Sequence, residues 1–390
     1  MHFKRIVSLF LFPTLFLFLL FSCDDHDPEK MSSAQEEDLC IPTRSSGSGT
    51  VVEGRYIVSF QDDGENTNGK SAAKAARVFE KNNLQQDDII NEFTGAYSHY
   101  VIKLSKEQVS NLELDSSVSA IEPDRRVSIC ACFTVIEPRL ITWNTDKTGY
   151  GDGTGKTAWL LDTGIDLNHP DLNIDSRSRS FLPDQKTAQD DNGHGTHVAG
   201  IIGAKNNTIG TLGIAADATL IALKVLDQDG KGYLSTVLDA LAYVRKNASK
   251  GSVVNISLGL DESSKILETE LREIANAGIF ITVAAGNDGE PAKNFSPANI
   301  NGKNIYTVTA VDSLNWFAKF SNYGNDVVDV TAPGIRILSS YLNGKYAIMS
   351  GTSMAAPHVA GILLVNDGEL NFSGHALNDP DGVADPIVRK

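Results

Sequence analysis

Cysteine is scarce in this sequence. Four cysteines occur among 390 residues, and none lies after Cys132. A domain without disulfides must take its stability from a large hydrophobic core, from bound metal ions, or from both. Cys130 and Cys132 have no histidine or further cysteine at the spacing of zinc ligands, so the sequence does not indicate a zinc site at this pair.

Basic residues are also in short supply. The chain has 34 Lys and Arg against 49 Asp and Glu, a formal net charge of −15. Proteins that bind nucleic acids need a positive face, so we expect no nucleic-acid partner. Part of the acidity is local, because seven acidic residues lie between Cys23 and Asp38. A run of like charges is typical of a solvated tether, not of a binding site.

The N-terminus carries an apolar run over Ile6–Phe21, preceded by Lys4 and Arg5. It is short and immediately follows the basic residues, which favours a secretory signal over 1–23 and not a transmembrane helix. The run ends in Leu20-Phe21-Ser22-Cys23, which resembles a bacterial lipobox. Cys23 would then be lipidated, and plain signal cleavage is the alternative. We expect a secreted or cell-surface protein, with membrane attachment if Cys23 carries lipid.

The next two segments are predicted to be a linker over 24–54 and a small α+β domain over 55–127. The linker includes a Ser/Gly-rich stretch at 45–50. In the domain, apolar alternation and helical patterns predict three strands and two helices, the second helix starting at Ser105 with a capping-box pattern to Gln108. The strands are Tyr56–Phe60, Tyr100–Leu104 and Val118–Ile121, and the first helix is Ser71–Asn82. This pattern indicates a ferredoxin-like βαββαβ sheet.

From Lys156 onward, short apolar runs rich in β-branched residues alternate with helix-compatible segments. The runs are Thr157–Leu161, Thr219–Leu223, Val253–Ile256, Ile279–Val283 and Ile305–Thr309, and the segments are His197–Gly203, Leu234–Lys246 and Lys265–Ala277. Such alternation predicts an α/β fold, a mainly parallel sheet with helices on both faces. In sheets of this kind, functional sites form at the carboxyl ends of the strands.

Three residues at such positions can carry chemistry. Asp162 directly follows a predicted strand, and His194 and Ser353 each open a predicted helix. A nucleophilic hydroxyl needs a base to accept its proton and a carboxylate to orient that base. Taken singly, Asp162 could be a turn residue, His194 a cap or a metal ligand with His197, and Ser353 an N-cap. Their chain order, Asp then His then Ser, favours catalysis.

The segments around these residues resemble the three motif blocks of the subtilases. The blocks are Asp162-Thr-Gly, His194-Gly-Thr-His and Gly351-Thr-Ser-Met-Ala-Ala-Pro, and the similarity runs from about Trp143 to the C-terminus. Residues 55–127 resemble the subtilisin propeptide, an inhibitor and folding aid. The resemblance implies a secreted serine endopeptidase with a catalytic domain over 143–390, made as a self-processing precursor that is cut between Val127 and Trp143.

Further residues are implied by the resemblance. Asn287 would donate to the oxyanion together with the backbone N–H of Ser353. Two segments would line the substrate, which binds as an added strand: Gly230 and Gly232 in the first, and Ser257, Leu258 and Gly259 in the second. Without the resemblance, the glycines would be assigned to turns. The expected partners are protein or peptide substrates and the chain's own propeptide. We expect the protein to be a monomer.

A calcium site is the expected cofactor site. The segment 205–211, predicted as an insertion in the helix after His194, resembles the calcium loop of subtilisins. Calcium prefers oxygen ligands, including backbone carbonyls. Side-chain oxygens would come from Asp171 and Asn207, and carbonyls from Lys205, Ile209 and Thr211. The alternative is an ordinary Asn-rich loop.

Two other functions remain to be separated from proteolysis. An ester or lipid hydrolase is disfavoured by the chain order of the three residues and by the peptide-binding segments. A catalytically silent binding module on the same scaffold is disfavoured because Asp162, His194, Ser353 and Asn287 are all present.

Overall fold

The structure is a computed structural model that describes residues 49–61, 70–94, 97–128, 132–135 and 140–390. The predicted signal peptide, Cys23, Cys40, Cys130 and most of the linker lie outside the described residues. The described residues belong to one unit by their contacts, residues 40–390. Within these ranges, no helix is both long and apolar enough to cross a membrane.

The N-terminal part of the described chain is an antiparallel sheet with two helices. Its elements are β1 (Val51–Gln61), α1 (Lys70–Lys81), β2 (Ile89–Thr94), β3 (Tyr97–Lys103), α2 (Lys106–Glu113) and β4 (Ala120–Ser128). The strand order β4-β1-β3-β2 is that of the predicted βαββαβ unit. Strand β1 begins at Val51, inside the predicted linker, because it continues its pairing with β4 up to Arg125.

Local chemistry explains the N-terminal unit. The predicted capping box is formed: Ser105 Oγ accepts from the N–H of Gln108 at 3.2 Å, and Gln108 Oε1 accepts from the N–H of Ser105 at 2.9 Å. In the core, the rings of Phe60, Phe79 and Tyr100 pack edge to face with centroids 5.1–5.7 Å apart. The unit therefore has a small core of its own.

The rest of the chain supplies fifteen further strands and five further helices among the described residues. The strands are β5 (Cys132–Val135), β6 (Gly151–Asp152), β7 (Thr157–Asp162), β8 (Arg179–Ser180), β9 (Ala215–Ala216), β10 (Thr219–Lys224), β11 (Lys231–Tyr233), β12 (Val253–Ile256), β13 (Phe280–Ala284), β14 (Ile305–Val311), β15 (Val330–Pro333), β16 (Ile337–Tyr341), β17 (Lys345–Ser350), β18 (Asn371–His375) and β19 (Pro386–Arg389). The helices are α3 (Trp143–Thr148), α4 (His194–Gly203), α5 (Leu234–Asn247), α6 (Lys265–Asn276) and α7 (Thr352–Val365).

Nine of the described strands form the main sheet, in the order β18-β19-β15-β14-β13-β12-β7-β10-β8. All neighbours are parallel except β18 and β19. The predicted α/β class with a mainly parallel sheet is therefore confirmed. The buried β-branched and aliphatic runs form the central strands because both faces of a parallel sheet are covered.

Side-chain alternation along β7 assigns the two faces of the main sheet. Trp159 and Leu161 point into the core that contains α5 and α6. Ala158 and Leu160 point into the core that contains α4 and α7. Since side chains alternate with a period of two residues, Asp162 lies on the face of α4 and α7. Helices α4 and α7 begin with the segments that carry His194 and Ser353.

Candidate active site

Asp162 and His194 are in direct contact. His194 Nδ1 lies 2.8 Å from Oδ1 and 3.0 Å from Oδ2 of Asp162, and Asp162 Oδ1 also accepts from the N–H of Thr163 at 2.7 Å. Both carboxylate oxygens face Nδ1, so the proton of the neutral imidazole is on Nδ1. Nε2 is then the basic nitrogen, and it is buried without a hydrogen-bond partner among the described residues.

His194 begins α4, and the turn before the helix requires glycine. Gly193 has φ of 108°, and a Cβ at this position would lie 2.0 Å from Cε2 of Tyr341. Only glycine adopts this conformation without strain and leaves room for the ring. The chain can therefore turn sharply into the helix and direct the imidazole toward Asp162.

A buried carboxylate, Asp190, joins the end of β7 to the start of α4. Asp190 Oδ1 accepts from Thr163 Oγ1 and from the N–H of Gly193, both at 2.9 Å. Oδ2 accepts from the N–H of Thr196 at 3.0 Å and from its hydroxyl at 2.6 Å. Burial raises the pKa of Asp190, and these hydrogen bonds favour its ionised form. This residue was not predicted from the sequence.

Ser353 lies in the first turn of α7, next to Ser257. Its hydroxyl donates to the carbonyl of Ser257 at 3.3 Å, and the Ser257 hydroxyl donates to the carbonyl of Ser353 at 3.1 Å. That carbonyl is available because Pro357, four residues later, has no N–H to donate to it. The N–H of Ser353 is among the first four of the helix, which have no acceptor within the helix.

Asn287 is oriented by Thr352, the residue before Ser353. Asn287 Oδ1 accepts from the N–H of Thr352 at 2.8 Å and from its hydroxyl at 3.0 Å. Because the oxygen is engaged in this way, the NH₂ group is the part of the Asn287 side chain that can donate to an oxyanion. The residue before Asn287 must be a glycine. Gly286 has φ of 104°, and a Cβ at this position would lie 2.2 Å from Nδ2 of Asn322.

His197 has a structural role. It is fully buried, and its Nε2 lies 2.9 Å and 3.1 Å from the carbonyl oxygens of Ile337 and Ala347. Burial lowers the pKa of His197 to about 3, so the ring is neutral and donates to these carbonyls. The alternative in which His194 and His197 hold a metal together is therefore not supported.

The first predicted substrate segment is occupied by the N-terminal unit. Strand β4 pairs antiparallel with β11, with Gly232 opposite Val127 and Lys231 opposite Ser128. A Cβ on Gly232 would lie 2.1 Å from the carbonyl oxygen of Val225, so this edge requires glycine. Val127 is buried in the core that also contains Leu258 of the second predicted segment.

The next described strand of the chain, β5, lies beside the segment that precedes Ser353. Strand β5 pairs antiparallel with β17, and Cys132 lies opposite Ser350, three residues before Ser353. The described backbone thus reaches the Gly232 edge at Ser128 and resumes beside Ser350 at Cys132. Neither of these pairings was predicted from the sequence.

Two carboxylates of β4 bind the N-termini of α6 and α5. Glu122 Oε1 accepts from the N–H groups of Lys265 at 2.9 Å and Ile266 at 3.1 Å, and its Oε2 accepts from the Ser264 hydroxyl at 2.7 Å. Asp124 accepts from the N–H and the hydroxyl of Ser235 at 3.0 Å and 2.8 Å. Negative groups at helix N-termini satisfy N–H groups that lack acceptors and complement the helix dipole.

A buried pair of ionisable groups adds to this interface. His99 of β3 and Glu270 of α6 are both fully buried, and His99 Nε2 lies 2.9 Å from Glu270 Oε1. The other ring nitrogen lies 2.9 Å from the hydroxyl of Ser59, and the Phe93 ring stacks on the imidazole with centroids 4.9 Å apart. The pair makes docking depend on polar complementarity, because removing either partner takes a hydrogen bond away from a fully buried ionisable group.

The predicted calcium ligands come together around Asp171. Its carboxylate is buried, and desolvation raises its pKa. It accepts from the Asn207 side-chain amide at 2.8 Å and from the N–H of Thr211 and the hydroxyl of Tyr346, both at 3.2 Å. The amide nitrogen of Asn207 therefore faces Asp171, and its oxygen accepts from the N–H of Ile209 at 2.8 Å.

The donor chemistry of this loop fits calcium. The hydroxyl oxygen of Thr211 is buried without a partner among the described residues, and the buried charge of Asp171 would gain from a cation. Coordination requires the Asn207 amide to turn its oxygen toward Asp171. One expectation is corrected: α4 ends at Gly203, so the loop follows the helix and does not interrupt it. Among the described residues, no three His, Cys, Asp or Glu side chains are grouped to hold a metal.

Comparisons with known proteins agree with these features. A model described as the subtilase family matches residues 153–373, and one described as peptidase inhibitor I9 matches residues 55–129. The chain is 39% identical over 275 residues to the thermostable alkaline protease of Halalkalibacterium halodurans, covering 70% of this chain and 73% of that protein. It is 34% identical over 400 residues to the thermophilic serine proteinase of Bacillus sp. strain AK1, covering 95% and 92%. The crystal structure of a cold adapted subtilisin-like serine proteinase matches with a TM-score of 0.58 and 30% identity, covering 64% of this chain and 98% of that one.

The contacts of Glu122 give a prediction for hydrogen exchange. In the full-length chain carrying Ser353→Ala, so that self-cleavage cannot occur, Glu122→Ala should speed exchange of the Lys265 and Ile266 amides about 10-fold or more. A hydrogen bond to a charged group contributes about 1.5–3 kcal/mol, and 1.4 kcal/mol is a factor of ten. The control is Glu113→Ala, which removes an exposed carboxylate of α2. Unchanged protection of both amides in Glu122→Ala would contradict the capping role.

Proposed function

The chain belongs to the subtilase family of serine proteases, and we propose that Ser353 is its nucleophile, His194 its general base and Asp162 the carboxylate that orients the base. The observation that carries the proposal is the contact of His194 Nδ1 with both oxygens of Asp162. This contact fixes the tautomer and leaves Nε2 as the basic atom of the site.

Catalysis then proceeds by acyl transfer. The Ser353 hydroxyl exchanges its hydrogen bond to Ser257 for one to His194 Nε2, and Oγ attacks the peptide carbonyl as Nε2 takes its proton. The tetrahedral intermediate collapses when His194 gives this proton to the leaving amine. Water, deprotonated by the same nitrogen, then hydrolyses the acyl-enzyme and restores the serine hydroxyl. The carboxylate of Asp162 stabilises the imidazolium in both steps.

The oxyanion is stabilised by the NH₂ group of Asn287 and the N–H of Ser353. Thr352 holds Asn287 in the required orientation through two hydrogen bonds. Such donors act strongly because they are fixed before charge develops in the transition state; removing one from a related subtilisin costs about 2.7–4 kcal/mol.

Substrates bind as an added strand along Gly230 and Gly232 on one side and Ser257, Leu258 and Gly259 on the other. This proposal is supported by β4, which already occupies the Gly232 edge through main-chain hydrogen bonds.

Residues 55–127 therefore act as the inhibitory propeptide of the catalytic domain, residues 143–390. We propose that the maturation cut lies between Ser128 and Cys132, because β4 ends at the Gly232 edge and the chain resumes at Cys132 opposite Ser350, three residues before Ser353.

Replacing the nucleophile tests the assignment. Ser353→Ala should abolish cleavage of casein, prevent labelling by a fluorophosphonate and leave the precursor uncut, because each depends on the same hydroxyl. Ser249→Ala, at an exposed site after α5, is the control and should retain casein cleavage, fluorophosphonate labelling and maturation of the precursor. Casein cleavage by Ser353→Ala would refute the nucleophile, whereas maturation of this variant expressed alone would refute self-processing only. Fluorophosphonate labelling of the wild type without casein cleavage would favour an ester hydrolase.

Calcium is proposed as a structural ion of the 205–211 loop. Asp171 and Asn207 would supply side-chain oxygens, and Lys205, Ile209 and Thr211 would supply carbonyls. When bound, the ion would neutralise the buried Asp171 and stabilise the loop that follows α4. It takes no part in the chemistry at Ser353.

Removal of calcium should lower stability. A ligand at a hundredfold excess over its Kd adds about 2.7 kcal/mol to the free energy of unfolding. EDTA should therefore lower the thermal midpoint of the wild type, and Asn207→Ala should lower it even with calcium present. Asn206→Ala, at an exposed neighbouring position, is the matched control. Equal midpoints with and without EDTA, together with an unaffected Asn207→Ala, would exclude the site.

Export is proposed from the N-terminal sequence, with Cys23 as a lipid anchor of the precursor. Because Cys23 precedes the maturation cut, cutting would release the catalytic domain from the membrane. The precursor should fractionate with membranes and the mature protease with the medium. Cys23→Ala should move the precursor to the soluble fraction, since each buried CH₂ of the lipid contributes about 0.8 kcal/mol.

Fractionation should be repeated with reductant, because Cys40 could hold a cut propeptide through Cys130 or Cys132. A mature protease that stays with the membrane under reductant would contradict release. A precursor whose partitioning does not change in Cys23→Ala would exclude the lipid.

A further inference from the structure

Lys224, the last residue of β10, places a fully buried ammonium group beside the proposed triad. Nζ donates to the carbonyl oxygen of Thr163 at 2.6 Å, to that of Leu226 at 2.9 Å and to the carboxylate of Asp191 at 2.7 Å. The three donors of the ammonium group therefore meet three acceptors. The side chain itself is 0% exposed, which is rare for a lysine.

The three acceptors belong to three segments of the active site. Thr163 directly follows Asp162, and Lys224 is the register partner of Asp162 in the neighbouring parallel strand. Leu226 is at the start of the connection from β10 to the substrate edge of β11, and its N–H donates to the carbonyl of Asp162 at 3.2 Å. Asp191 lies in the loop that leads from Asp190 to His194. The ammonium group thus joins the two strand ends to the loop that enters α4.

We propose that Lys224 is a positioning residue for the reaction: its ammonium group holds the ends of β7 and β10 and the Asp191 loop in the register that places His194 against Asp162. This inference rests on the proposed roles of Asp162 and His194. Lys224 itself touches no reacting atom, and it acts through the backbone of Thr163 and through Asp191.

Burial of the charge supports a specific role. Desolvating an ammonium group is costly, and a neutral apolar side chain at this position would avoid that cost. A buried lysine whose bonds all went to one element would only stabilise that element. Lys224 instead bonds to β7, to the segment after β10 and to the His194 loop, so its loss should disturb the relative placement of these segments.

The kinetic consequence is specific. A displacement of about 1 Å between catalytic groups can lower the rate of the chemical step about 100-fold. The peptide-binding edges at Gly232 and Ser257 are held by other hydrogen bonds, since the N–H of Asp227 donates to the carbonyl of Lys231 at 2.8 Å and β12, which precedes Ser257, pairs with β7. Loss of Lys224 should therefore lower kcat and leave KM nearly unchanged.

The test uses the full-length chain, matured and titrated with a fluorophosphonate, so that kcat refers to competent active sites. Lys224→Met, which has a similar length and no charge, should lower kcat on a short chromogenic peptide about 10- to 100-fold, with KM within about threefold. Asp191→Ala removes one of the three acceptors at a half-exposed site, and it should lower kcat about 3- to 10-fold. The double variant should lose no more than Lys224→Met alone, because both changes break the same link.

Lys147→Met is the matched control, because it removes an ammonium group that donates to the carbonyl of Ser313 at 2.8 Å, in another part of the chain. It should leave kcat unchanged. If Lys224→Met does not fold, Asp191→Ala decides alone. A kcat within twofold of the wild type in Asp191→Ala, or equal factors of change in kcat and KM in Lys224→Met, would overturn the proposal. Activity in Ser353→Ala would instead refute the proposed triad. The role of Lys224 is tested separately, by the kcat and KM of Lys224→Met and Asp191→Ala.

Discussion

The active site depends on how a buried carboxylate obtains its hydrogen bonds. Asp190 is removed from water, so its charge must be compensated by donors within the protein. It finds them in Thr163 at the end of β7 and in the first turn of α4. The same hydrogen bonds that satisfy Asp190 therefore fix the distance between the strand that carries Asp162 and the helix that carries His194. The hydrogen bonds of Asp190 therefore both stabilise the site and align Asp162 with His194.

The two faces of the main sheet are used for different purposes. Helices α4 and α7, which begin with His194 and with the segment of Ser353, cover one face. Helices α5 and α6 cover the other, and their N-termini receive Asp124 and Glu122 from the propeptide. The end of β4 pairs with β11 at the Gly232 edge. An inhibitor can thus dock over a broad surface while a single strand occupies the proposed substrate edge.

The sequence is informative where a pattern is local. β-Branched runs predicted the central strands, and the position of Asp162 after such a run placed it at the carboxyl end of β7, where the proposed site lies. The exposed strand β2 was missed because its side chains do not alternate between buried and exposed positions. The pairings of β4 with β11 and of β5 with β17 join distant segments, for which the sequence holds no spacing rule. Lys224 and Asp190 were missed because a single charged residue gives no sign of burial.

The pairing of β4 with β11 has a consequence for latency. While the chain between Ser128 and Cys132 is intact, the propeptide competes with substrates as part of the same molecule, at an effective concentration that does not change on dilution. Once a peptide bond in this segment is cut, the propeptide and the catalytic domain are two molecules. The fraction of catalytic domain with bound propeptide then falls as the protein is diluted. Export into a large volume would then by itself shift the protease from the inhibited to the free form, without any further signal.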